Sequence, residues 1–545
     1  MSDSKMSPLV VNQALTPPAR LQLNQITLWC EYPIWGLLLY DDQSPWLSIL
    51  ETIHICFARE RDAKTIFPGP ESDGAGNPVH EWLQYNVPLS ESLRHLLFSD
   101  QYLDDIAASG NDNATMWATW EREAAASNQL DIAYLRKAFP HFQDLANAVA
   151  LLRSSQIDGN NNRRPTSRHL LPLGDNMIFS DVSEVKLQPD RRWLRRSGEI
   201  IYLMLNRSPD RARIEAILRE RLLKARSPWN RLTRKLQGRE AEENTTRSLT
   251  TGYLPLLTHR AYDRIAADWL AILSLRRLPL ATSLASLARL SGFDLMIYVV
   301  ERGIETSESD SDHVPPFVMD MVGTSSATGL RKLSDSMYRR HRRLPQEAMR
   351  SFVENYRASS EWQAIETSPN NSLTARNHLA GRFLWSRDIG TDPHAMPSAR
   401  EQMEELLNDV QRSRSHSVGA MYVATGRQTG AVTARAGVGT WYAPNDELIE
   451  ALVLANVGGP VELDAFLARL YRRYHIVIGA QEAMQAFGGE LPETEASFRE
   501  NERSFEERLR MLGYLERKSD DCAFVTNPFH ADGAALASEV RDAVA

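Results

Sequence analysis

The sequence predicts a mainly α-helical, multi-domain protein with a C-terminal α+β module of the winged-helix-like kind. The chain has 545 residues, which is too long for a single hydrophobic core. Hydrophobic residues make up 43% and charged residues 24%, as in ordinary folded proteins. Apolar residues recur every three or four positions through most of the chain, whereas short β-branched runs gather in the last third. A collagen-like or wholly disordered chain is therefore excluded.

The first part of the chain predicts a flexible tail over residues 1–20 and a tryptophan-rich helical domain over 21–157. Six of the twelve tryptophans precede residue 121, and such large rings usually anchor a core. Residues 46–61 predict a helix, with Ser44 as its N-cap and Pro45 in its first turn. Further helices are expected at 90–107, 114–126 and 129–153, and the Pro/Gly-rich stretch 68–78 predicts a loop.

A basic segment with short strands and helices is expected over residues 158–250. It opens with a break at 158–166, followed by one or two strands within 170–188 and helices at 191–205, 209–226 and 228–237. Residues 186–239 hold 16 Lys and Arg against 5 Asp and Glu, although the whole chain carries a formal charge of −8. Such a block attracts polyanions locally, while the rest of the surface stays acidic.

A second helical domain is expected over residues 251–370. The strongly apolar stretch 262–300 predicts helices that are interrupted at Pro279 and end at Gly292. An exposed acidic loop is expected at 305–316, helices at 329–341 and 345–360, and a linker at 366–372. A second basic block lies at 331–350.

The last domain, 371–545, predicts the winged-helix-like module. A helix over 400–412 and a glycine-rich hairpin over 419–441 come first. The order that follows is helix (447–457), helix (462–474), short strand (476–478), helix (498–512) and hairpin (514–529). This order of elements is typical of a winged helix.

Parts of residues 377–530 resemble a known group of bacterial sequences. They include NHLAGRFLW at 377–385, LIEALVLANV at 448–457, LYRRYHIVIG at 470–479, LGY at 512–514 and NPF at 527–529. These stretches look like the winged-helix-like tails of large bacterial proteins from antiphage-defence and DNA-modification operons. The resemblance contains no catalytic motif, and residues 1–370 resemble no family. It implies a bacterial setting and a role beside DNA.

The two basic blocks predict a nucleic-acid partner, DNA in the first instance, bound mainly through residues 186–239. Of the 62 basic residues 54 are arginines, whose planar fork matches phosphate oxygens in pairs. The expected phosphate contacts are Arg191, Arg192, Arg195, Arg196, Arg211, Arg213, Arg231, Arg234, Lys235, Arg339, Arg340, Arg342 and Arg343. The main interpretation is a non-enzymatic nucleic-acid-binding or scaffold subunit of a bacterial defence or DNA-processing complex.

Two alternatives stay open. Asp175 followed by Glu184-x-Lys186 has the residue types of a restriction-type nuclease core, in which two carboxylates bind Mg²⁺ and the lysine orients water. The other alternative is a pure protein-interaction scaffold whose arginine blocks meet acidic partner surfaces. Under the main interpretation the sequence predicts no catalytic residue, no metal and no cofactor; Mg²⁺ enters only with the nuclease.

Several other classes of function lack their motifs. The sequence contains no GxxxxGK[ST] phosphate-binding loop, no HExxH and no GxSxG. Three scattered cysteines predict a reducing compartment rather than a disulfide framework. The N-terminus lacks the apolar region of a secretion signal, and no apolar run is as long as a membrane span, so we expect a cytoplasmic protein. Charges cancel in helix 498–512, so the C-terminal module is expected to contact other protein subunits.

Overall fold

The computed structural model of the chain describes residues 15, 26–36, 43–72, 74, 78–79, 82–88, 91–127, 133–157, 169–178, 197–223, 227–237, 245–251, 253–307, 313–323, 329–369, 371–383, 385, 396–412, 418–519 and 522–530. The expected tail apart from Leu15, the break at 158–166, and residues 308–312 of the acidic loop lie outside these ranges. The same holds for most of the strand region 170–188 and for residues 191–196, the start of an expected helix.

Helices dominate the N-terminal half. They are α1 (Ile26–Trp35), α2 (Pro45–Arg61), α3 (Glu91–Arg94, continued by a π-helical turn His95–Ser99), α4 (Leu103–Ala107), α5 (Asn113–Ser127), α6 (Ala133–Ala138), α7 (Phe142–Arg153), α8 (Ser197–Arg207), α9 (Arg211–Leu218, continued by a π-helical turn Arg219–Leu223) and α10 (Pro228–Gln237). The strands are β1 (Glu71–Ser72), β2 (Pro78–Val79), β3 (Trp82–Pro88), β4 (Gln156–Ile157), β5 (His169–Leu170) and β6 (Thr245–Thr251). β1 pairs with β2, β3 with β6 and β4 with β5, all antiparallel.

The C-terminal half continues with α11 (Arg260–Ser274), α12 (Leu280–Ser307), α13 (Gly329–Arg357), α14 (Ser360–Glu366), α15 (Asn371–Phe383), α16 (Ala399–Arg412), α17 (Val418–Gln428), α18 (Asp446–Asn456), α19 (Leu463–Tyr474), α20 (Ala480–Ala486) and α21 (Glu495–Met511). Its strands are β7 (Phe317–Val318), β8 (Val432–Arg435), β9 (Gly439–Tyr442), β10 (Val461–Glu462), β11 (Ile476–Val477), β12 (Leu515–Ser519) and β13 (Cys522–Val525). The predicted fold class, mainly α with a few short strands, is confirmed.

Helix α12 forms the centre of the larger hydrophobic core. It packs against α2, α11, α13, α17 and α18, and this core extends from Cys30 to Val525. Among the described residues α12 is the one helix long and apolar enough to cross a membrane, but 89% of its most apolar stretch is buried inside the protein. That burial is typical of a helix at the centre of a folded core.

A second core lies in the N-terminal half. It is formed by α3–α7 together with residues 170–177 and α10, around the fully buried side chains of Trp120, Phe142 and Leu236. Trp117 and Trp120 pack edge-on against Phe142, with ring centroids 5.2 and 6.0 Å away. The tryptophans that the sequence predicts as core anchors therefore do anchor a core, and α10 closes one side of it.

Buried charges join α11 and α12 to the C-terminal residues. Arg264 on α11 donates to Asp294 (2.9 Å) and to Glu301 (2.9 Å) on α12. Glu301 also contacts His475 Nε2 at 3.2 Å, just after α19. Burial would raise the pKa of Glu301, but Arg264, His475 and Arg260 together outweigh burial and hold that pKa well below its usual range. The carboxylate is therefore charged, and it links α11, α12 and the end of α19.

The last strands form one small antiparallel sheet in the order β10–β13–β12, with Val525 paired to both Val461 and Leu515. Strand β11 instead pairs in parallel with β7, nearly 160 residues earlier in the chain. The fully buried Asn501 on α21 strengthens this junction by donating to the carbonyl oxygens of Met319 and Ile478, both at 2.9 Å.

Several predicted elements are confirmed. Helix α2 begins as expected, because Ser44 Oγ accepts the Leu47 N–H and Pro45 occupies the first helical position. The interruption between α11 and α12 contains Pro279. The C-terminal hairpin lies at β12 and β13, within the predicted stretch 514–529.

Two predicted helix ends are wrong, because tertiary packing overrides the local signal. Gly292 lies inside α12, where a Cβ atom would be 2.6 Å from Thr429 Cγ2, so the glycine permits close packing and does not end the helix. The break expected at 342–344 is absent, since α13 continues through Pro345. Pro345, Leu344 and Ala348 are all buried, and that packing compensates for the hydrogen bond that proline removes.

Two strand predictions have different outcomes: the hairpin expected over 419–441 is partly wrong, and the strands expected within 170–188 are tested only as far as residue 178. The hairpin expected over 419–441 is confined to β8 and β9, and residues 418–428 form helix α17 instead. Of the strands expected within 170–188, the described residues contain only the end of β5 and then a 3₁₀ turn, Asp175–Met177. In both places side-chain burial against helices, which the sequence pattern does not reveal, decides the conformation.

Candidate nucleic-acid interface

Helix α10 presents the clearest cationic face of the first basic block. Arg231, Arg234 and Lys235 are exposed and follow the three-and-four spacing that places side chains on one side of a helix. The helix contains no acidic residue. Within the described residues neither Arg231 nor Arg234 has an ion pair or a side-chain hydrogen bond, and Lys235 Nζ lies 5.8 Å from the Phe139 ring centroid. Among the described residues, therefore, no carboxylate neutralises either guanidinium group.

The opposite side of α10 fixes the helix on the second core. Leu236 is fully buried, and its carbonyl oxygen accepts a 2.6 Å hydrogen bond from Tyr134 Oη. Asn230 is buried and donates to Asp175 Oδ1 at 2.6 Å. A Cβ on Gly174 would lie 2.1 Å from Asn230 Oδ1, so the 3₁₀ turn and α10 are in close contact. The cationic face therefore belongs to a firmly packed helix.

Asp175, the first carboxylate of the nuclease alternative, is held by these contacts. Besides Asn230, its Oδ1 accepts the backbone N–H of Asn176 at 2.9 Å. Glu184 and Lys186 lie outside the described residues, so the nuclease trio stays a prediction from the sequence. Across the part of the chain that the structure describes, no group of three or more His, Cys, Asp and Glu side chains is placed to hold a metal ion.

Arginines of α9 divide between structural and surface roles. Arg211 is half-buried, and its guanidinium lies against Gly69 and the Ser208 carbonyl. Arg213 is exposed and pairs with Asp210 at 2.9 Å. Arg221, which follows in the π-helical turn, donates to the carbonyl of Leu273 at 2.7 Å. Part of the first block's charge is therefore used inside the fold. Four further predicted contacts, Arg191, Arg192, Arg195 and Arg196, lie outside the described residues.

The second basic block forms one exposed edge of α13. Arg339, Arg340, Arg342 and Arg343 are all exposed. Arg339 pairs with Asp335 one turn earlier at 2.7 Å. Arg342 and Arg343 have no ion pair or side-chain hydrogen bond with any residue that the structure describes. By contrast Arg331, at the start of the same block, is buried, bonds to Asp320 at 2.8 Å and stacks over Trp441.

Two arginines that the sequence analysis did not select lie beside this edge. They are Arg427 at the end of α17 and Arg435 at the end of β8, and both are exposed. The signal that could have identified them is compositional: residues 418–445 contain no Asp or Glu. A lone arginine in such a stretch has no local carboxylate to pair with.

The C-terminal helices carry a different charge pattern. On α21 Arg499 pairs with Glu495 at 2.6 Å, and Arg508 pairs with Asp446 of α18 at 2.6 Å. Burial, together with neighbouring carboxylates, raises the pKa of both Glu482 on α20 and Glu502 on α21. Ion pairs therefore neutralise Arg499 and Arg508, Arg503 and Arg510 are exposed, and carboxylates gather between α19, α20 and α21.

Comparison with known proteins gives one match. Residues 441–527, which run from β9 to just beyond β13, match the family model described as methylation-associated defense system protein MAD7. No curated protein and no solved structure matches the chain. The match associates this C-terminal segment with an antiviral defence system, as the resemblance to defence-operon proteins implies. It covers less than a fifth of the chain.

Proposed function

We propose that this protein is a non-enzymatic, nucleic-acid-binding scaffold subunit of a bacterial, methylation-associated defence complex in the cytoplasm. The observation that carries the proposal is the face of α10, where Arg231, Arg234 and Lys235 point outward from a rigid support without a neighbouring acid on their own helix. Arginine and lysine in this arrangement suit the phosphates of DNA, and each such contact releases condensed counterions.

We propose a winged-helix-like assignment for the C-terminal segment. The order α18, β10, α19, α20, α21, β12, β13 supports it, and so does the sheet order, in which the last strand lies between the first and second. In such a module α21 takes the position of the recognition helix, which inserts into the major groove in DNA-binding members.

The charges on α21 favour a protein partner for this module. A recognition helix that reads DNA needs net positive charge on its outer face. On α21, however, arginines and glutamates alternate, and several of them form ion pairs. The carboxylates of Asp464, Glu482 and Glu502 interact with one another close to Gly479, where they would repel phosphate. The module therefore docks other subunits, and the basic surfaces elsewhere carry the affinity for DNA.

The test is the salt dependence of DNA binding by the full-length chain. Fluorescence anisotropy with a labelled duplex gives the slope of log affinity against log salt. The variant Arg231→Gln/Arg234→Gln/Lys235→Gln should lower that slope by about 2–3, since each duplex phosphate contact contributes about 0.9. The matched control Arg277→Gln/Arg503→Gln/Arg510→Gln removes the same charge from exposed arginines elsewhere and should leave the slope unchanged.

The alternatives give different results in the same experiments. A pure protein scaffold binds no duplex even at low salt, where non-specific contacts are strongest. A nuclease nicks the duplex when Mg²⁺ or Mn²⁺ is added, alone or with its operon partners, and Glu184→Ala and Lys186→Ala abolish the cleavage. If the α10 variant and the control have equal salt slopes, α10 is not part of the DNA interface.

A further inference from the structure

The hairpin β8–β9, helix α13 and helix α17 meet at one aromatic cluster. Tyr338 of α13 lies at its centre, with its ring centroid 5.5 Å from Tyr442 of β9 and 6.3 Å from Tyr422 of α17. Tyr442 Oη also hydrogen-bonds to His341 Nδ1 at 2.7 Å, one turn further along α13. These buried contacts hold the three elements in fixed positions.

The three elements that meet at this cluster each carry at least one exposed arginine. Arg342 lies one turn beyond Tyr338, and Arg427 lies at the end of α17. Burial raises the pKa of Tyr338, while Arg342 and Arg427 oppose that rise, so both guanidinium groups lie near the same phenol. Arg435 is the cross-strand partner of Gly439, whose Cβ position is 3.4 Å from Asp335 Oδ1 on α13. We call Arg342, Arg427 and Arg435 the hairpin surface.

Among the described residues, no acid neutralises the charges of the hairpin surface. None of its three arginines has an ion pair or a side-chain hydrogen bond to any residue in the described ranges. No acidic residue occurs at 418–445 or at 336–346, and Asp335 of α13, which approaches the hairpin at Gly439, already pairs with Arg339.

The hairpin β8–β9 ends in a tight turn with an exposed tip. Its strands are joined by three residues, with Gly437 in the left-handed region (φ +76°), and Val438 at the tip is 45% exposed. A three-residue hairpin loop with glycine at the left-handed position is a well-defined turn. At the base, Trp441 packs under Arg331, whose guanidinium carbon is 4.8 Å from the ring centroid. Arg435, at the end of β8, is exposed beside this turn.

We propose that the hairpin surface is a second DNA-backbone contact, at which Arg342, Arg427 and Arg435 bind successive phosphates while the hairpin lies against the duplex. This inference rests on the proposed function, because it names a further part of the surface that meets DNA. Three guanidinium groups from separate, rigid elements recognise a line of phosphates better than a single anion, which one arginine fork already satisfies. The contact positions the protein and reads no sequence.

The test uses the full-length chain and the same labelled duplex. The variant Arg342→Gln/Arg427→Gln/Arg435→Gln should lower the salt slope by about 2–3 relative to wild type. The charge-keeping variant Arg342→Lys/Arg427→Lys/Arg435→Lys should keep a slope near that of wild type, because lysine also displaces counterions. The control Arg277→Gln/Arg503→Gln/Arg510→Gln sets the effect of charge loss alone. Thermal unfolding should be unchanged in all three variants, since only exposed side chains change.

The outcomes separate this inference from the proposed function. If wild type binds the duplex and the α10 variant loses slope, but the hairpin-surface glutamine variant behaves like the control, then the hairpin surface is not a DNA contact and the proposed function stands. If wild type binds no duplex at low salt, both fail. Loss of slope in the glutamine variant with retention in the lysine variant supports the hairpin surface directly.

Discussion

Replacement of Asn501 by alanine should loosen the junction between the C-terminal residues and the core. Asn501 is fully buried on α21, where its Nδ2 donates to the carbonyl oxygens of Met319 and Ile478 and its Oδ1 accepts the Met321 N–H at 2.7 Å. No other side chain among the described residues joins α21 to both β7 and β11 in this way.

The magnitude follows from the groups left behind. Asn501→Ala removes the hydrogen-bond partner of two buried carbonyl groups and one buried N–H group. Each such group costs about 1–3 kcal/mol when it has no hydrogen bond. Some relief comes from water that enters the space of the lost amide, so the expected loss is about 3–6 kcal/mol in the local opening free energy.

Hydrogen exchange measured by mass spectrometry on the full-length chain is the suitable assay, because a chain of this size does not guarantee two-state unfolding. The amides of Phe317 and Met319 bond to the carbonyls of His475 and Val477, so peptides that cover 313–323 and 476–479 report on the junction. Their protection should fall at least a hundredfold. The exposed neighbour variant Glu500→Ala serves as the control. A change of less than tenfold in Asn501→Ala, about 1.4 kcal/mol, would refute the reasoning.

Three further predictions concern pH and partners. Burial lowers the pKa of His341 to about 3, so the contribution of the neutral imidazole to stability is complete above about pH 6.5 and falls by about 5 kcal/mol as pH falls towards 3. In His341→Gln the midpoint of urea unfolding should therefore depend less on pH over that range. The same pH dependence in the variant and the wild type would contradict this. Burial would raise the pKa of Glu305, but His259 and Arg302 hold that pKa at about 2. Glu305→Gln should therefore lower the free energy of unfolding by about 3 kcal/mol at pH 7 and leave it unchanged near pH 2. In a pull-down of the full-length chain from the native operon, charge reversal of the exposed Glu500 and Glu507 on α21 should reduce capture of partner subunits while DNA affinity remains; unchanged capture would count against a docking role.

The sequence predicts those parts of the fold whose signals are local. Ser44 and Pro45 indicate the start of α2, and Pro279 indicates the interruption between α11 and α12, because caps and prolines act within a few residues. The face of α10 could also be predicted, since the spacing of Arg231, Arg234 and Lys235 alone determines that they lie on one side of the helix.

The features that the sequence does not reveal depend on residues far apart in the chain. The pairing of β3 with β6 joins positions more than 150 residues apart, and the sequence pattern of neither strand indicates which strand is its partner. Gly292 has the appearance of a helix end, and only its contact with Thr429 shows otherwise. Arg342 is among the phosphate contacts predicted from the sequence, but Arg427 and Arg435 were missed for the same reason, because they lie more than 80 residues further along the chain.

The charged residues within α12 are a signal in the sequence from which a buried ionic network could have been predicted. Asp294, Glu301 and Arg302 lie within α12, the most apolar long helix, and each must find a partner because an isolated buried charge is costly. Their presence predicts a buried ionic network. The identity of the partners, Arg264 and His475 for Glu301, follows only from the packing of α11 and α19 against α12.

The most direct test of the whole account is the salt slope of the wild-type, full-length chain on duplex DNA. If α10 and the hairpin surface each supply three phosphate contacts, the slope of log affinity against log salt should be about −5. A wild-type slope shallower than about −1, or no binding at low salt, would contradict the claim that this protein is a DNA-binding subunit.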